Sequence, residues 1–309
     1  MGVSVAVLVV SDYGGRTDGD WDYLRATLGA LARQTFDRPF EVVLIDSTPA
    51  DEPMPPDVPR LVPGLRTLGG AGETPVELLN AAVEATSAEV VALLDGDCAP
   101  VPGWLAAATE AIASRPDAAA VSGRTVYPDA GFTYRVLNTL SRSFLDPGGP
   151  GRTRFISNNN AIFRRAALLA HPLGPFRRPL AARLQTEAIR LAGGGLYFEP
   201  RMHVLHRFDG WPMERRIRRH IGYRAIRIRQ IEPRTPHAWM IRLGVLSIPL
   251  VFAARTFESW TNCVRAGRHY GLRWYELPAA FGTAVAVHLL EIGGMIEAFA
   301  EARHGTPPR

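Results

Sequence analysis

The segment EVVALLDGDCAP, residues 89–100, reads as a buried strand that stops on two carboxylates, Asp95 and Asp97, with Gly96 between them. Neighbouring carboxylates repel each other unless water or a cation screens them. Two chemistries suit such a tripeptide. One is a solvated turn, which Asp and Gly favour. The other is an oxygen-ligand site for a divalent ion that holds a phosphate-bearing substrate. Two further apolar runs end in the same manner: VSVAVLVV (residues 3–10) leads into Ser11-Asp12, and FEVVLID ends on Asp46.

The elements that position these ends follow a strand–helix rhythm. Residues 3–10, 40–46, 89–95 and 118–123 have the length and continuous apolar character of buried parallel strands. Between them, DYLRATLGALARQTF, PVELLNAAVEATSA and GWLAAATEAIAS read as helices, the first with Leu24, Leu28 and Leu31 at helical spacing. Prolines from Pro49 to Pro63 exclude regular structure from the loop after Asp46. This alternation predicts an α/β fold with a doubly wound, mostly parallel sheet and helices on both faces. Ligands sit beyond the carboxyl ends of such strands. Ser11, Asp12, Asp46, Asp95, Gly96 and Asp97 are therefore expected on one rim, which favours a site over a turn.

With 309 residues, 47% apolar and 21% charged, the chain can bury a large core and is not disordered. All 35 basic residues are arginine, and the net charge is +5. Arg215, Arg216, Arg218, Arg219, Arg224, Arg227 and Arg229 crowd one stretch, which suits phosphates or an anionic surface. No recognition motif or interleaved stacking aromatics accompany them, so nucleic acid is not expected. Cys98 and Cys263 are too isolated for a disulfide framework. The first residues lack a basic leader and cleavage site, which predicts a cytoplasmic location.

Further along, TRFISNNNAIFRRAALL reads as a strand and loop feeding a helix, and LAARLQTEAIRLAGG as a helix closed by glycine. GLYFEP and RMHVLH read as two short strands. In MERRIRRHIGYRAIRIRQI, Ile217, Ile221 and Ile228 share a helical face among arginines, as on a helix at an anionic membrane or one packed on the domain. LGVLSIPLVFAA (243–254) is short for a span; LPAAFGTAVAVHLLEIGGMI (277–296) is long enough but carries His288 and Glu291, which must face protein or water. Both are expected to lie in or dip into an interface, or to pair as a hairpin. The chain thus divides into an α/β domain over 1–210 and a basic, hydrophobic, membrane-associating helical region over 211–309, at the cytoplasmic face.

Five segments, in order from Val3 to His206, resemble the family 2 glycosyltransferases, GT-A enzymes that use nucleotide sugars. They are VAVLVVSDY with LRATLGALARQTF, FEVVLIDST, LLDGDCAPVPGWL, SNNNAIFRR and GGGLYFEPRMHVLH. The resemblance implies that Asp46 binds the donor's base or ribose, with Ser11 and Asp12 lining the same pocket. It implies that Asp95, beside Gly96, contacts ribose or sugar, and that Asp97 holds Mg2+ or Mn2+ on the diphosphate. His206 becomes a metal ligand or phosphate contact, and Asn158, Asn159 and Asn160 the acceptor side. The implied reaction moves a hexosyl group, with inversion, to a hydroxyl acceptor, which in many members is lipid-linked.

One departure stands out. The positions where the resemblance implies a carboxylate base fall on Ala181 and Ala182, which cannot take a proton. Glu187 is the sole carboxylate of that helix and the candidate base, although it lies roughly 7–9 Å further along the axis at 1.5 Å per residue. Its alternative partner is Arg183 or Arg190. Asp129 and Asp146 are further loop candidates. A catalytically silent nucleotide-sugar-binding protein is the alternative function. A nucleotidyltransferase is disfavoured, because no glycine-rich basic loop follows Val10.

Overall fold

The computed structural model describes residues 3–11, 21–47, 54–69, 73–128, 131–208 and 210–303. Among these, nine strands form one sheet: β1 (Val5–Ser11), β2 (Glu41–Asp46), β3 (Arg66–Gly69), β4 (Val90–Asp95), β5 (Cys98–Pro100), β6 (Ala118–Val126), β7 (Gly151–Arg152), β8 (Asn160–Arg164) and β9 (Gly195–His206). The order is β3-β2-β1-β4-β8-β6-β9-β5, with β7 also on β9. Strands β1 to β4 pair in parallel, and β6 pairs in parallel with β9. β8 runs antiparallel between β4 and β6. Register sets Ser11 opposite Asp46 and Val10 opposite Asp95, so three strands end at one level.

The period of two along each strand sorts the core into two faces. Val5, Val7 and Val9 join one cluster with Leu24, Leu28 and Leu31 of α1 (Asp22–Ala32) and Trp104 of α3 (Trp104–Ala113). Leu8 and Val10 join the other, under α2 (Pro75–Ala85), α5 (Arg165–Ala170) and α6 (Arg178–Leu191). Thr74 caps α2 through a reciprocal pair with Glu77.

Several elements differ from the reading of the sequence. GLYFEP and RMHVLH form one strand, β9. Its pairing with β6 jumps from Gly123↔Glu199 to Arg124↔His203, so the chain bulges around Pro200, which has no N–H to give the ladder. β5 follows the acidic tripeptide directly. Among the described residues of the proline-rich loop, Val58–Arg60 forms a 3-10 turn with Pro59, whose fixed φ suits a first turn, at its second position. Helix α4 (Phe132–Arg142) is an addition; its Val136, Leu137 and Leu140 pack towards the C-terminal helices.

Those helices are α7 (Trp211–Ile231), a 3-10 segment (Ala238–Ser247), α8 (Ile248–Ala266) and α9 (Leu277–Arg303). α7 packs against α9, with one face buried in protein. Gly222 and Gly294 make the close approach possible: a Cβ there would fall 2.0 Å from Glu291 O and 1.8 Å from Arg219 O. His288 and Glu291 face protein, where Arg218 and Arg255 hold Glu291 and Arg218 also reaches Glu214. The stretches 238–270 and 274–302 are long and apolar enough to cross a membrane, by length and composition.

Candidate active site

The acidic rim lies where the sequence places it. Ser11, Asp46 and Asp95 end adjacent parallel strands, and Ser47 Oγ donates to Ser11 O at 3.4 Å. Gly96 N donates to Val10 O (2.9 Å), which turns the chain tightly off β4. Asp12 lies outside the described residues. Asp95 is gripped by Arg178, the first residue of α6.

β5 and β9 set Cys98 opposite His206, and this brings His206 to Asp97: Nε2 lies 3.5 Å from Oδ2. Nδ1 meets the Arg207 carbonyl, which can only accept, so Nδ1 carries the proton and Nε2 presents its lone pair. Burial, aided by nearby Arg142, pushes His206 down to about 3, so the ring is neutral. A lone pair and a carboxylate oxygen facing each other at this distance suit a cation between them. Asp97, Cys98 and His206 offer ligand atoms within 4.8 Å of one another. Burial, then Asp97, pushes the Cys98 thiol well up, so it stays protonated and is a poor ligand. Imidazole plus carboxylate fits Mn2+, and Mg2+ less closely.

Two further residues complete this corner. Tyr127 stacks on Phe208 (4.2 Å between centroids) and lies 5.7 Å from the His206 ring. The guanidinium of Arg142, the last residue of α4, sits 5.7 Å from the Tyr127 ring centroid, and its buried Nε has no hydrogen-bond partner. Burial disfavours its charge, yet Tyr127, Cys98, Asp97 and Asp95 outweigh that and push its pKa up. Neither Arg142 nor Arg178 gives a signal in sequence, because each reaches the rim only through packing.

The three asparagines separate. Asn160, expected on the acceptor side, is wholly buried: Oδ1 accepts from Trp104 Nε1 (2.8 Å), and Nδ2 donates to Met202 O (2.9 Å) and Arg124 O (3.1 Å). It ties α3, β6 and β9 together and has no hydrogen left for an acceptor. Asn159 accepts from Ser157 Oγ (2.6 Å), and its carbonyl receives Asp95 N (3.4 Å). Of the three, Asn158 alone, 5% exposed, keeps both amide atoms without a partner.

Glu187 is not brought to the rim. Arg190 holds both its oxygens, and nine residues separate it from Arg178, about 13 Å along the helix. Ala181, at the position where a base was expected, is fully buried. Asp146 is also buried and is bound by Arg124 (2.8 Å) with His269 nearby (3.4 Å). Asp129 lies outside the described residues.

A mostly parallel sheet with antiparallel β8 set between β4 and β6, short antiparallel β5 and β7 on β9, and acidic strand ends on one rim defines a GT-A type of glycosyltransferase fold. The chain belongs to glycosyl transferase family 2, whose family model matches residues 16–171. That stretch carries Asp46, Asp95 and Asp97 and ends before α6 and His206. No curated protein matches the chain in sequence. The mannosyltransferase PcManGT from Pyrobaculum calidifontis, solved with GDP-Man and Mn2+, is similar with a TM-score of 0.59 at 15% identity, over 96% of this chain and 87% of that one. GalNAc-T7, solved with UDP, GalNAc and Mn2+, is similar with a TM-score of 0.51 at 16% identity, over 68% of this chain and 44% of that one. At such identities the likeness shows the shared fold.

Proposed function

We propose that the protein moves a hexosyl group from a nucleoside-diphosphate sugar to a hydroxyl acceptor, with Asp97 and His206 holding Mn2+ or Mg2+. The carrying observation is the approach of neutral His206 Nε2 to Asp97 Oδ2 at the carboxyl end of β4. The similar structures solved with nucleotides and Mn2+ support the same donor chemistry. When bound, a divalent ion supplies positive charge for the departing diphosphate. Arg142 adds a fixed cation beside it, which stabilises charge that grows only as the donor bond breaks. Ser11 and Asp46 flank the place for nucleoside, and the buried, unpartnered amide of Asn158 has a donor and an acceptor to give a hydroxyl. Attack from the side away from the diphosphate inverts the anomeric carbon. Exposed Trp239, Leu246, Phe257, Val264 and Trp274 support work at a membrane surface.

A second reading, a donor-binding protein without turnover, is favoured by buried Ala181 and by the engagement of Glu187 with Arg190. Both readings share a first test, thermal stabilisation by nucleoside diphosphates and nucleotide sugars with and without Mn2+. A ligand at a hundred times its dissociation constant adds about 2.7 kcal/mol. The wild type is expected to gain a few degrees in the presence of Mn2+, and Asp97→Asn to gain none. Equal gains in both proteins would falsify the metal assignment. Acceptor-dependent release of nucleoside diphosphate then separates transferase from silent binder.

A further inference from the structure

Arg142 stands at the donor corner, yet its side chain is held there by little of its own. The guanidinium lies 5.7 Å from the Tyr127 ring centroid, within cation–π range, and its buried Nε has no hydrogen-bond partner. A long side chain with so few ties takes its aim from the backbone that carries it. That backbone is the last turn of α4, and the C-terminal helices hold α4 along its length. Arg135 pairs with Glu276, just before α9. Val136, Leu137 and Leu140 cluster with Cys263 of α8 and with Ala280, Ala284 and Val287 of α9.

The last turn is closed from the same side. Arg218 of α7 donates from Nη2 to Ser141 Oγ at 2.9 Å. Tyr270, in the 3-10 turn Gly267–Tyr270 after α8, donates its hydroxyl to Arg142 O at 3.3 Å. No N–H within α4 can reach that carbonyl, and Leu145 N meets it only at 3.4 Å. Tyr270 is buried; burial, then Asp146, pushes its hydroxyl up, so it stays protonated and can donate. Arg218 is buried as well. Its other nitrogens meet Glu214 and, at 3.0 Å, Glu291 of α9, which Arg255 of α8 holds from the other side. One planar fork thus ties α4, α7 and α9 together, a geometry that lysine cannot supply.

A free nucleoside diphosphate carries more negative charge on its terminal phosphate than its sugar ester does. A cation aimed at that phosphate therefore favours the departing group over the intact donor, and such a difference is what lowers a barrier.

We infer that Arg218 and Tyr270 are positioning residues: through Ser141 and the Arg142 carbonyl they aim the Arg142 guanidinium at the donor diphosphate. This role rests on the donor reading above. It makes residues 211–303 part of the donor site and not a separable anchor.

The test is calorimetric titration of the full chain, in Mn2+, with GDP and UDP and with their sugar esters GDP-mannose and UDP-glucose. The variants are Arg142→Gln, the pair Ser141→Ala with Tyr270→Phe, and all three changes together. Ser141→Ala cuts the link from Arg218 while leaving Glu214 and Glu291 paired. Arg142→Gln is expected to weaken the nucleoside diphosphate about tenfold or more, and its sugar ester less. The pair is expected to show the same selective loss, about threefold or more, and to add nothing once Arg142 is gone, because residues that act through one group are not additive. A merely structural role weakens diphosphate and ester alike, and by the same factor with or without Arg142. That result overturns the inference, and so does a pair that binds like the wild type. If the pair does not fold, Tyr270→Phe alone is read by the same criteria. A wild type that binds none of these nucleotides sinks the donor reading and the inference with it. A wild type that binds, beside a pair with no selective loss, sinks the inference alone.

Discussion

Arg178, the first residue of α6, grips the carboxylate of Asp95, the last residue of β4, across 83 positions of sequence. A cation at a helix N-terminus opposes the helix dipole, so this placement is set by the partner and not by the helix. The contact locks the start of α6 against the rim. It also puts a positive charge one turn before Ala181 and Ala182, the positions where the family resemblance implies carboxylates.

Removing that grip tests its importance. Arg178→Gln is expected to lower stability by about 1–3 kcal/mol, since it strips the charged partner from a largely buried carboxylate. Turnover should fall about tenfold or more as the rim loosens, since small misplacements are costly in catalysis. Urea unfolding and steady-state rates check the two separately. An unchanged unfolding midpoint would mean the pair contributes nothing in solution.

Asn158 and Asn160 should respond in opposite ways. Asn160→Ala leaves Trp104 Nε1 and two carbonyls without partners in the core, at a cost of about 2–4 kcal/mol. Asn158→Ala removes a buried amide that has no partner, so stability should hold or rise by about 1 kcal/mol. Activity should nonetheless drop in Asn158→Ala, through KM for the acceptor. Paired denaturation and kinetic curves decide the matter, and destabilisation of both variants to the same extent would refute the distinction.

In metal-free buffer, His206 should make the fold acid-sensitive. Its folded pKa of about 3 lies below the unfolded value of 6.5. Below 6.5 the unfolded chain takes up a proton that the folded chain refuses, so stability is full above that pH and is lost as pH falls towards 3. Between about pH 7 and about pH 5 the loss is about 2 kcal/mol. His206→Asn should flatten this slope in chemical denaturation series. A variant as acid-sensitive as the parent would assign the slope to other groups.

Glu187→Gln is expected to leave turnover within about threefold, because the carboxylate is far from Asp95 and bound to Arg190. Loss of the charged pair with Arg190 should cost about 1 kcal/mol. A rate loss of about a thousandfold at retained stability would restore Glu187 as the base.

The sequence by itself determined the strand ends and the chemistry they bear. A continuous apolar run must be buried, and a carboxylate cannot follow it inside, so Ser11, Asp46, Asp95 and Asp97 had to emerge at a rim. The helical spacing of Leu24, Leu28 and Leu31 likewise had to face a sheet. Local pattern could not say which polar residue turns inward. Asn160 and Asn158 are two positions apart and of one type, yet one is committed to three core hydrogen bonds and the other has none, because only the register against β4 and β6 separates them. Arg142 and Arg178 reach the rim, and Arg218 reaches Glu291, through contacts between distant elements that leave no periodic trace. For the same reason the arginine-rich face of α7 read equally as lipid-facing or packed. An apolar stripe shows that something must cover it, but only the tertiary structure showed that α7 turns Arg218, Gly222 and Ile226 to α9 and leaves Ile217 and Ile221 half-buried, while the faces of α8 and the preceding 3-10 segment remain exposed.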